Sequence, residues 1–299
     1  MNQMIALIEK MSWLLPLVLL FGLLVLMLAT LHHHLVDVRA NARRRYLNIP
    51  ALRSPGESTR RRIDRTTGEI GAYTVALGAI PLALYAALLS YVHFLFLELN
   101  WMDTVYFGVI SAGFILYVTN KIKRLKSRQR RLYMAYEGQM AVAQEVSRLA
   151  PEGHRIYYDF PTDRFHIDQI IIGPNGVFTV TTKVLPRSGR GHAKWLTVDG
   201  AQIRVGKKDD ARIVSYATFQ ASWLAKWLLT ATGEALAVQP ILTIPGWQIK
   251  TLQHTTVMVT EPAAIGEAIK RFQGHRLSQK TIRLVCEQIE AKCRNARPL

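Results

Sequence analysis

An α-helical membrane region of about three transmembrane helices, followed by an α/β domain with a central mixed sheet, is the fold the sequence predicts. Three observations carry that prediction. Uncharged apolar runs of seventeen residues or more occur only in the first 131 of the 299 residues. Beyond them, helical spacing alternates with short β-branched runs closed by Gly, Pro and Asn, the pattern of a mixed α/β domain. The formal charge is +17, from 38 Lys+Arg against 21 Asp+Glu, although 49% of residues are hydrophobic. Charge and hydrophobicity divide between the two parts: residues 1–131 hold 17 basic and 7 acidic side chains (+10), residues 132–299 hold 21 and 14 (+7). An ordinary cytosolic globule does not combine these properties, and disorder is excluded over most of the chain.

Residues 13–31 (WLLPLVLLFGLLVLMLATL) carry no charge over nineteen positions, close to the ~20 that cross a bilayer core at ~1.5 Å per residue. A signal peptide is the weaker reading, because Glu9 and Lys10 leave no basic leader and no small-x-small cleavage site follows. Further uncharged runs cover 71–97 and 104–120, separated by six residues that include Glu98 and Asp103; so short a break predicts a helical hairpin. Ala79, Ala83 and Ala87 offer that hairpin a small-residue stripe, and Pro81 is placed to kink it. The loop 32–69 contains nine arginines, and residues 121–131 contain seven basic residues and no acid. By the positive-inside rule both lie in the cytoplasm. The expected topology is therefore a multi-pass protein of the bacterial inner (cytoplasmic) membrane, N-terminus outside and C-terminal domain inside. Orientation and attraction to anionic headgroups account for the arginine runs without nucleic acid. The triplet His32-His33-His34 is not a metal site, since consecutive helical side chains point ~100° apart.

After residue 131 a Pro-free helix is predicted over 133–149, with Tyr136, Met140, Ala143 and Val146 or Ser147 on one face and Pro151-Glu152-Gly153 at its end. Strands follow at 156–160, 165–172 and 177–183, the last two closed into a hairpin by Gly173-Pro174-Asn175-Gly176. Period-two alternation sets Asp168 on the face of Ile170 and Ile172, and Lys183 on the face of Thr181, so Asp168 and Lys183 are expected to approach across the hairpin. A second hairpin turns at Asp199-Gly200, a helix covers 215–230, strands run at 238–244 and 255–260, and two helical stretches close the chain. Cys286 and Cys293 are the only cysteines. Seven residues apart on a helix, they share a face and read as reduced structural thiols.

The residues now resemble a known family. Gly138-Gln139 with Val142-Ala143, Asp159-Phe160-Pro161, Ile167-Asp168 running into Gly173-Pro174-Asn175-Gly176-Val177-Phe178, Val180-Thr181-Thr182-Lys183, Gln220-Ala221 with Trp223-Leu224, and Pro240 through Pro245-Gly246-Trp247 resemble the NERD (nuclease-related domain) family in order and spacing. That family is a branch of the PD-(D/E)XK restriction-endonuclease-like nucleases. The resemblance implies a restriction-endonuclease-like domain over 132–260, with a C-terminal helical extension at 261–299 and a membrane anchor at 1–131.

It also implies a chemistry. In active members a helix Glu, a strand Asp and the Glu of a Glu-x-Lys gather Mg²⁺, and the lysine helps activate water for phosphodiester cleavage; the ion needs hard anionic oxygens to lower the water's pKa and neutralise the phosphate. The corresponding positions here are Gln139, Asp168, Thr181 and Lys183, with Gln220 from the second helix. Only Asp168 remains of three expected carboxylates, so Mg²⁺ would be held weakly and through Asp168 alone. Glu137 and Glu145 lie ~200° and ~240° around the helix from Gln139 and do not replace it.

Two functions follow as expectations. One is a membrane-anchored pseudo-nuclease that binds nucleic acid, most simply DNA, or a membrane-protein partner without cutting. Arg187, Arg190, Lys194, Arg204, Lys207 and Lys208 around the hairpins are the candidate phosphate contacts. The other is an active Mg²⁺-dependent DNA endonuclease acting on incoming phage or conjugative DNA. A transporter is disfavoured, because His93 is the one ionisable side chain in the expected spans apart from tyrosine.

Overall fold

The computed structural model describes residues 52–94, 101–185, 195–200, 202–205, 208–252, 255–274 and 276–295. The chain divides into two compact units, one containing Arg62–Arg131 and the other joining Ile49–Arg61 to Leu132–Leu299. The expected first span, 13–31, lies outside the described residues.

Within the first unit two long helices run side by side: α1, Glu57–Phe94, and α2, Trp101–Ser147, whose later residues belong to the second unit. Tyr85 meets Phe107 with ring centroids 5.4 Å apart, Lys121 lies 5.9 Å from the Tyr73 ring centroid, and the Gln129 amide donates to the Thr67 hydroxyl at 2.7 Å. These contacts advance along one helix as they retreat along the other, so the pair is the antiparallel hairpin expected from the sequence. Both helices are long and apolar enough to cross a membrane, and only 6% and 11% of their most apolar stretches is buried, unlike the core helix of a globule. Trp101, Val109 and Leu116 are 71%, 66% and 64% exposed.

Two boundaries differ from expectation. The loop predicted over 32–69 is helical from Glu57 onward, and Pro81 sits inside α1. The third apolar run and the amphipathic helix predicted over 133–149 are one element, because the basic stretch between them has neither Gly nor Pro and Lys, Arg, Leu and Gln are good helix formers.

The second unit is built on a five-stranded mixed sheet. Its strands are β1 (Arg155–Pro161), β2 (His166–Gly173), β3 (Gly176–Thr182), β7 (Val238–Thr243) and β9 (Met258–Thr260), in that spatial order. The first three pair antiparallel; β3 with β7 and β7 with β9 pair parallel. Alternation over residues 170–172 of β2 distributes the isoleucines to two cores, but it breaks just before them: Ile167 packs with Ile170 and Ile172, and Asp168 meets Gln139 of α2, the helix that packs on Ile171, instead of sharing the face of Ile170 and Ile172 as expected. Ile170 and Ile172 join Tyr157, Phe160 and Ile167 against Leu224 and Leu228 of α3 (Arg212–Thr232) and Ile282, Val285 and Ile289 of α5 (Gln279–Asn295). Ile171 faces the other way, packing with Phe178, Val180 and Ile241 against Val142 and Val146 of α2 and Ile265 and Ile269 of α4 (Ile265–Arg271). A one-residue slip would exchange the two faces, which fixes the register.

The second hairpin, β4 (Trp195–Asp199) with β5 (Gln202–Val205), is not part of the central sheet. It belongs to a separate four-stranded sheet with β6 (Lys208–Asp210) and β8 (Gln248–Thr251), in the order β6-β5-β4-β8. Leu196, Val198 and Ile203 bury against Ile213, Val214 and Ala217 at the start of α3. The C-terminal helix α5, expected as an extension, shares the core beneath β1 and β2; Cys286 and Cys293 are both reduced and buried there.

Candidate functional site

The site lies where α2 crosses the open ends of β2 and β3. Close approach at this point depends on Gly138: a Cβ there would stand 2.3 Å from Val184 Cγ2. Glycine therefore lets the helix sink onto the end of β3 and carries the next residue, Gln139, into the domain, where it is 7% exposed.

Gln139 Nε2 donates to Asp168 Oδ1 at 2.9 Å, and the backbone N–H of Thr182 donates to Asp168 Oδ2 at 2.8 Å. His166, two residues earlier on the same face of β2, places Nε2 3.6 Å from Asp168 Oδ1. A second set of bonds backs this one. The Thr181 hydroxyl donates to Gln220 Oε1 at 2.6 Å, and Gln220 Nε2 donates to the His166 carbonyl at 2.9 Å, so α3 ties the two strands together. Thr181 and Gln220 are buried. Burial pushes the Asp168 carboxyl above its ordinary range; His166, the Thr182 N–H and the Gln139 amide pull it back, while the charge of Asp159 pushes it further up.

Of the residues expected at the site, Gln139, Asp168, Thr181 and Gln220 are thus brought into one hydrogen-bonded cluster. Lys183 is not. The expected Asp168···Lys183 pair is replaced by Asp168 with His166; the Lys183 side chain is exposed, and among the described residues it forms no ion pair. The cause is the face Asp168 takes: Thr182 and Val184 both lie against Gly138 of α2, so Lys183 falls with Thr181 on the side of α3, while Asp168 bonds to Gln139 on the α2 side. Glu137 is exposed and Glu145 pairs with Arg148 at 3.0 Å, so neither substitutes for residue 139. Arg187, Arg190, Lys194 and Lys207 lie outside the described residues. Lys208 stands in β6 opposite Val205, and Arg204 in β5 opposite Thr197.

His166 was missed at the sequence level, although its signal was available: a histidine two residues before the strand aspartate shares its face. Also missed was a clamp formed with the segment before α1. Arg53 Nη1 donates to Asp159 Oδ2 at 2.9 Å, and Ser58 donates to the same oxygen from its N–H at 3.2 Å and its hydroxyl at 2.7 Å. Asp159 holds a left-handed φ of 50°, which Asp tolerates through its short polar side chain. The turn inside this clamp touches the site: at Gly56, φ +65°, a Cβ would lie 2.9 Å from Gln139 Oε1 and from Tyr136 Cδ2.

The donor set does not fit Mg²⁺. The ion takes oxygen ligands and is held through carboxylates, whereas both Asp168 oxygens already accept N–H bonds, Gln139 turns its amide donor toward Asp168, and the Thr181 hydroxyl is spent on Gln220. Gln139 Oε1 is buried without a hydrogen-bond partner, but it is one neutral oxygen. Among the described residues no group of three or more His, Cys, Asp or Glu side chains is placed to hold a metal.

Residues 135–245 match the family model described as NERD, nuclease-related domain. No curated protein and no solved structure matches the chain.

Proposed function

We propose that this nuclease-related domain binds nucleic acid, DNA above all, without hydrolysing it, and is held at the cytoplasmic face of a bacterial inner membrane by the helices before it. The observation that carries the reading is the enclosure of Asp168. Its two oxygens are occupied by neutral donors where a nuclease of this kind sets anionic metal ligands. Retention of the domain's fold without that ligand set favours a gripping role over a cutting one. Two exposed apolar helices and the basic stretches beside them support the anchor and its orientation. An alkaline phosphatase fusion at the C-terminus tests the orientation; strong periplasmic activity there defeats it. A membrane-protein partner is the other ligand to try.

The second reading, an active Mg²⁺-dependent DNA endonuclease acting on incoming phage or conjugative DNA, is favoured by one observation, the orphaned Gln139 Oε1 beside Asp168. One assay separates the two: full-length protein in detergent, incubated with plasmid and Mg²⁺ or Mn²⁺, beside Asp168→Ala and Lys183→Ala. Salt-sensitive retardation without cleavage is expected. Cleavage abolished by both substitutions would overturn the non-hydrolytic reading.

A further inference from the structure

Strand β1 is the outermost strand on one side of the central sheet and, among the described residues, pairs with β2 alone. A cleft of about 860 Å³ is lined by five consecutive residues, His154 to Tyr158. Ile156 packs with the core under α2, and Tyr157 with the core shared by α5. A cleft that takes in both faces of one strand runs along the strand's edge, so it opens onto the backbone N–H and C=O groups that β2 does not use. Such a row is a ready template for another strand. The ladder is open over four residues, Arg155 to Tyr158, about 13 Å at ~3.3 Å per residue. Before it, the His154 N–H is taken by the Leu149 carbonyl at 3.3 Å. Beyond it, Asp159 leaves the extended conformation and Pro161 has no N–H to give.

The charges along the cleft are ordered. The Leu277 N–H donates to the Pro174 carbonyl at 3.0 Å, which sets the start of α5 at the turn between β2 and β3, and Arg155 pairs beside that turn with Ile172. Arg155 and Arg283 thus stand at the same end of the cleft. Further along α5 come Glu287, one turn or ~6 Å on, and Glu290, which accepts the Tyr157 hydroxyl at 2.8 Å and meets Arg294 at 3.3 Å. Arg155, Arg283 and Glu287 are exposed, and among the described residues none of them forms an ion pair. The two walls differ in bulk: Ser147, Ala150 and Gly153 are small, whereas Ile282 and Cys286 present apolar contact. Alternate side chains of an added strand find room on one wall and packing on the other.

We propose that this cleft takes the free C-terminus of a partner protein as an extended strand antiparallel to β1, with its terminal carboxylate on Arg155 and Arg283 and an upstream basic side chain on Glu287. The direction follows from the charges: a carboxylate at the start of β1 sends the added strand backwards along it, into the stronger antiparallel pairing. A chain end is specified because the ladder stops at Arg155, where His154 has no N–H left to continue it. Donors and acceptors alternate along the edge as they do along a peptide backbone, whereas a phosphate strand would bring anions onto Glu287 and leave the edge unpaired. Docking here is independent of the Asp168 cluster and stands whether or not the domain binds nucleic acid.

The test uses the full-length protein in detergent and fluorescence anisotropy with labelled pentapeptides that begin with lysine and continue with mixtures of Val, Ile, Leu and Tyr, as free acids and as amides. The free acids are expected to bind, and the amides to bind at least ~10-fold more weakly, since a hydrogen bond to a charged group is worth roughly 10- to 150-fold. Arg155→Ala with Arg283→Ala should weaken the free acids by the same factor and leave the amides unchanged, because carboxylate and cations act as one pair. Glu287→Lys should exchange the preference for lysine at the first position for one for glutamate. All three side chains are exposed, so the variants keep the fold. Methylating one alternate set of peptide amides should abolish binding and methylating the other should not, as strand pairing demands. No binding of any free acid, equal binding of acids and amides, or equal effects of the two methylation sets would overturn the proposal. So would displacement of the peptides by a 20-nucleotide oligothymidine, which would make the cleft a phosphate site, or dissociation of a dimer on adding peptide, which would give the edge to a second copy of the chain.

Discussion

Two buried carboxylates stand in the same domain, and they are treated in opposite ways. Asp159 is 1% exposed and faces a full cation: Arg53, itself nearly buried, and the first-turn N–H and hydroxyl of Ser58 converge on its Oδ2. The start of helix α1 adds its partial positive charge to that oxygen. Asp168 receives only neutral N–H donors and an imidazole at 3.6 Å, and burial lifts its pKa. A carboxylate kept for architecture is neutralised; one kept in a ligand-facing cluster is left partly uncompensated, the mark of a position held for something other than stability. The contrast also tells why the domain needs the segment before α1: the cation that neutralises Asp159 is 106 residues away in sequence.

The strongest way to break this contrast is to remove the cation. Arg53→Ala leaves Asp159 buried and unpaired, and loss of one partner of a buried ion pair costs about 3–5 kcal/mol. Denaturant unfolding of the detergent-solubilised chain, followed by tryptophan fluorescence, should show a loss of this size. A fragment starting at residue 132 lacks both Arg53 and Ser58 and should be similarly weakened. If Arg53→Ala unfolds within ~1 kcal/mol of the wild type, the clamp is not what holds Asp159.

Next in size is the reverse operation at the other carboxylate. Gln139→Glu exchanges the amide donor for a second acceptor against Asp168 Oδ1, with a penalty of about 1–3 kcal/mol at neutral pH for the lost bond and the unsatisfied oxygens. Acidification, which protonates one of the pair, should return most of it. The variant sets two carboxylates against each other, and Mg²⁺ should then stabilise Gln139→Glu although it does nothing for the wild type. Thermal melts with and without Mg²⁺ read this directly; a wild-type chain stabilised by Mg²⁺ to the same extent would mean that its donor set is already adequate.

Much of this site was legible beforehand because it is written in local patterns. The isoleucine-rich hairpin with its Gly173–Gly176 turn fixed the neighbourhood of Asp168, and the motif spacing brought Gln139, Thr181 and Gln220 to it. What escaped reading has physical causes. The Arg53–Asp159 clamp joins distant segments with no periodicity to announce it. Strands β6 and β8 have three and four residues, too few for an alternation to register, so the second sheet went unseen. Lys183 was misplaced because alternation breaks before Ile170, which turns Asp168 toward α2 and away from the face of Thr181 and Lys183. The role of α5 could have been read: Ile282, Val285, Cys286, Ile289 and Cys293 repeat at helical spacing, and all five are buried.

The smallest effect is also the sharpest measure of how the two carboxylates differ. An unfolded Asp titrates near ~3.9, and in the folded chain burial raises the Asp168 value. Between those two values the native state binds more protons than the unfolded state, so the Asp168 contribution is lost as pH rises through that window and is constant above it. Asp168→Asn does not titrate and has a ready geometry. Its carbonyl can accept the Thr182 N–H, and its amide can donate to Gln139 Oε1, the atom that lacks a partner in the wild type, once Gln139 turns over. The variant should therefore equal or exceed the wild type by up to ~1 kcal/mol at pH 7, and the advantage should shrink toward pH 4. His154, whose own pKa is lowered by burial, titrates in both proteins and cancels in the difference. Melting temperatures of the two proteins across this range decide the matter: parallel curves would mean that Asp168 is as well compensated as Asp159, and the contrast between them would collapse.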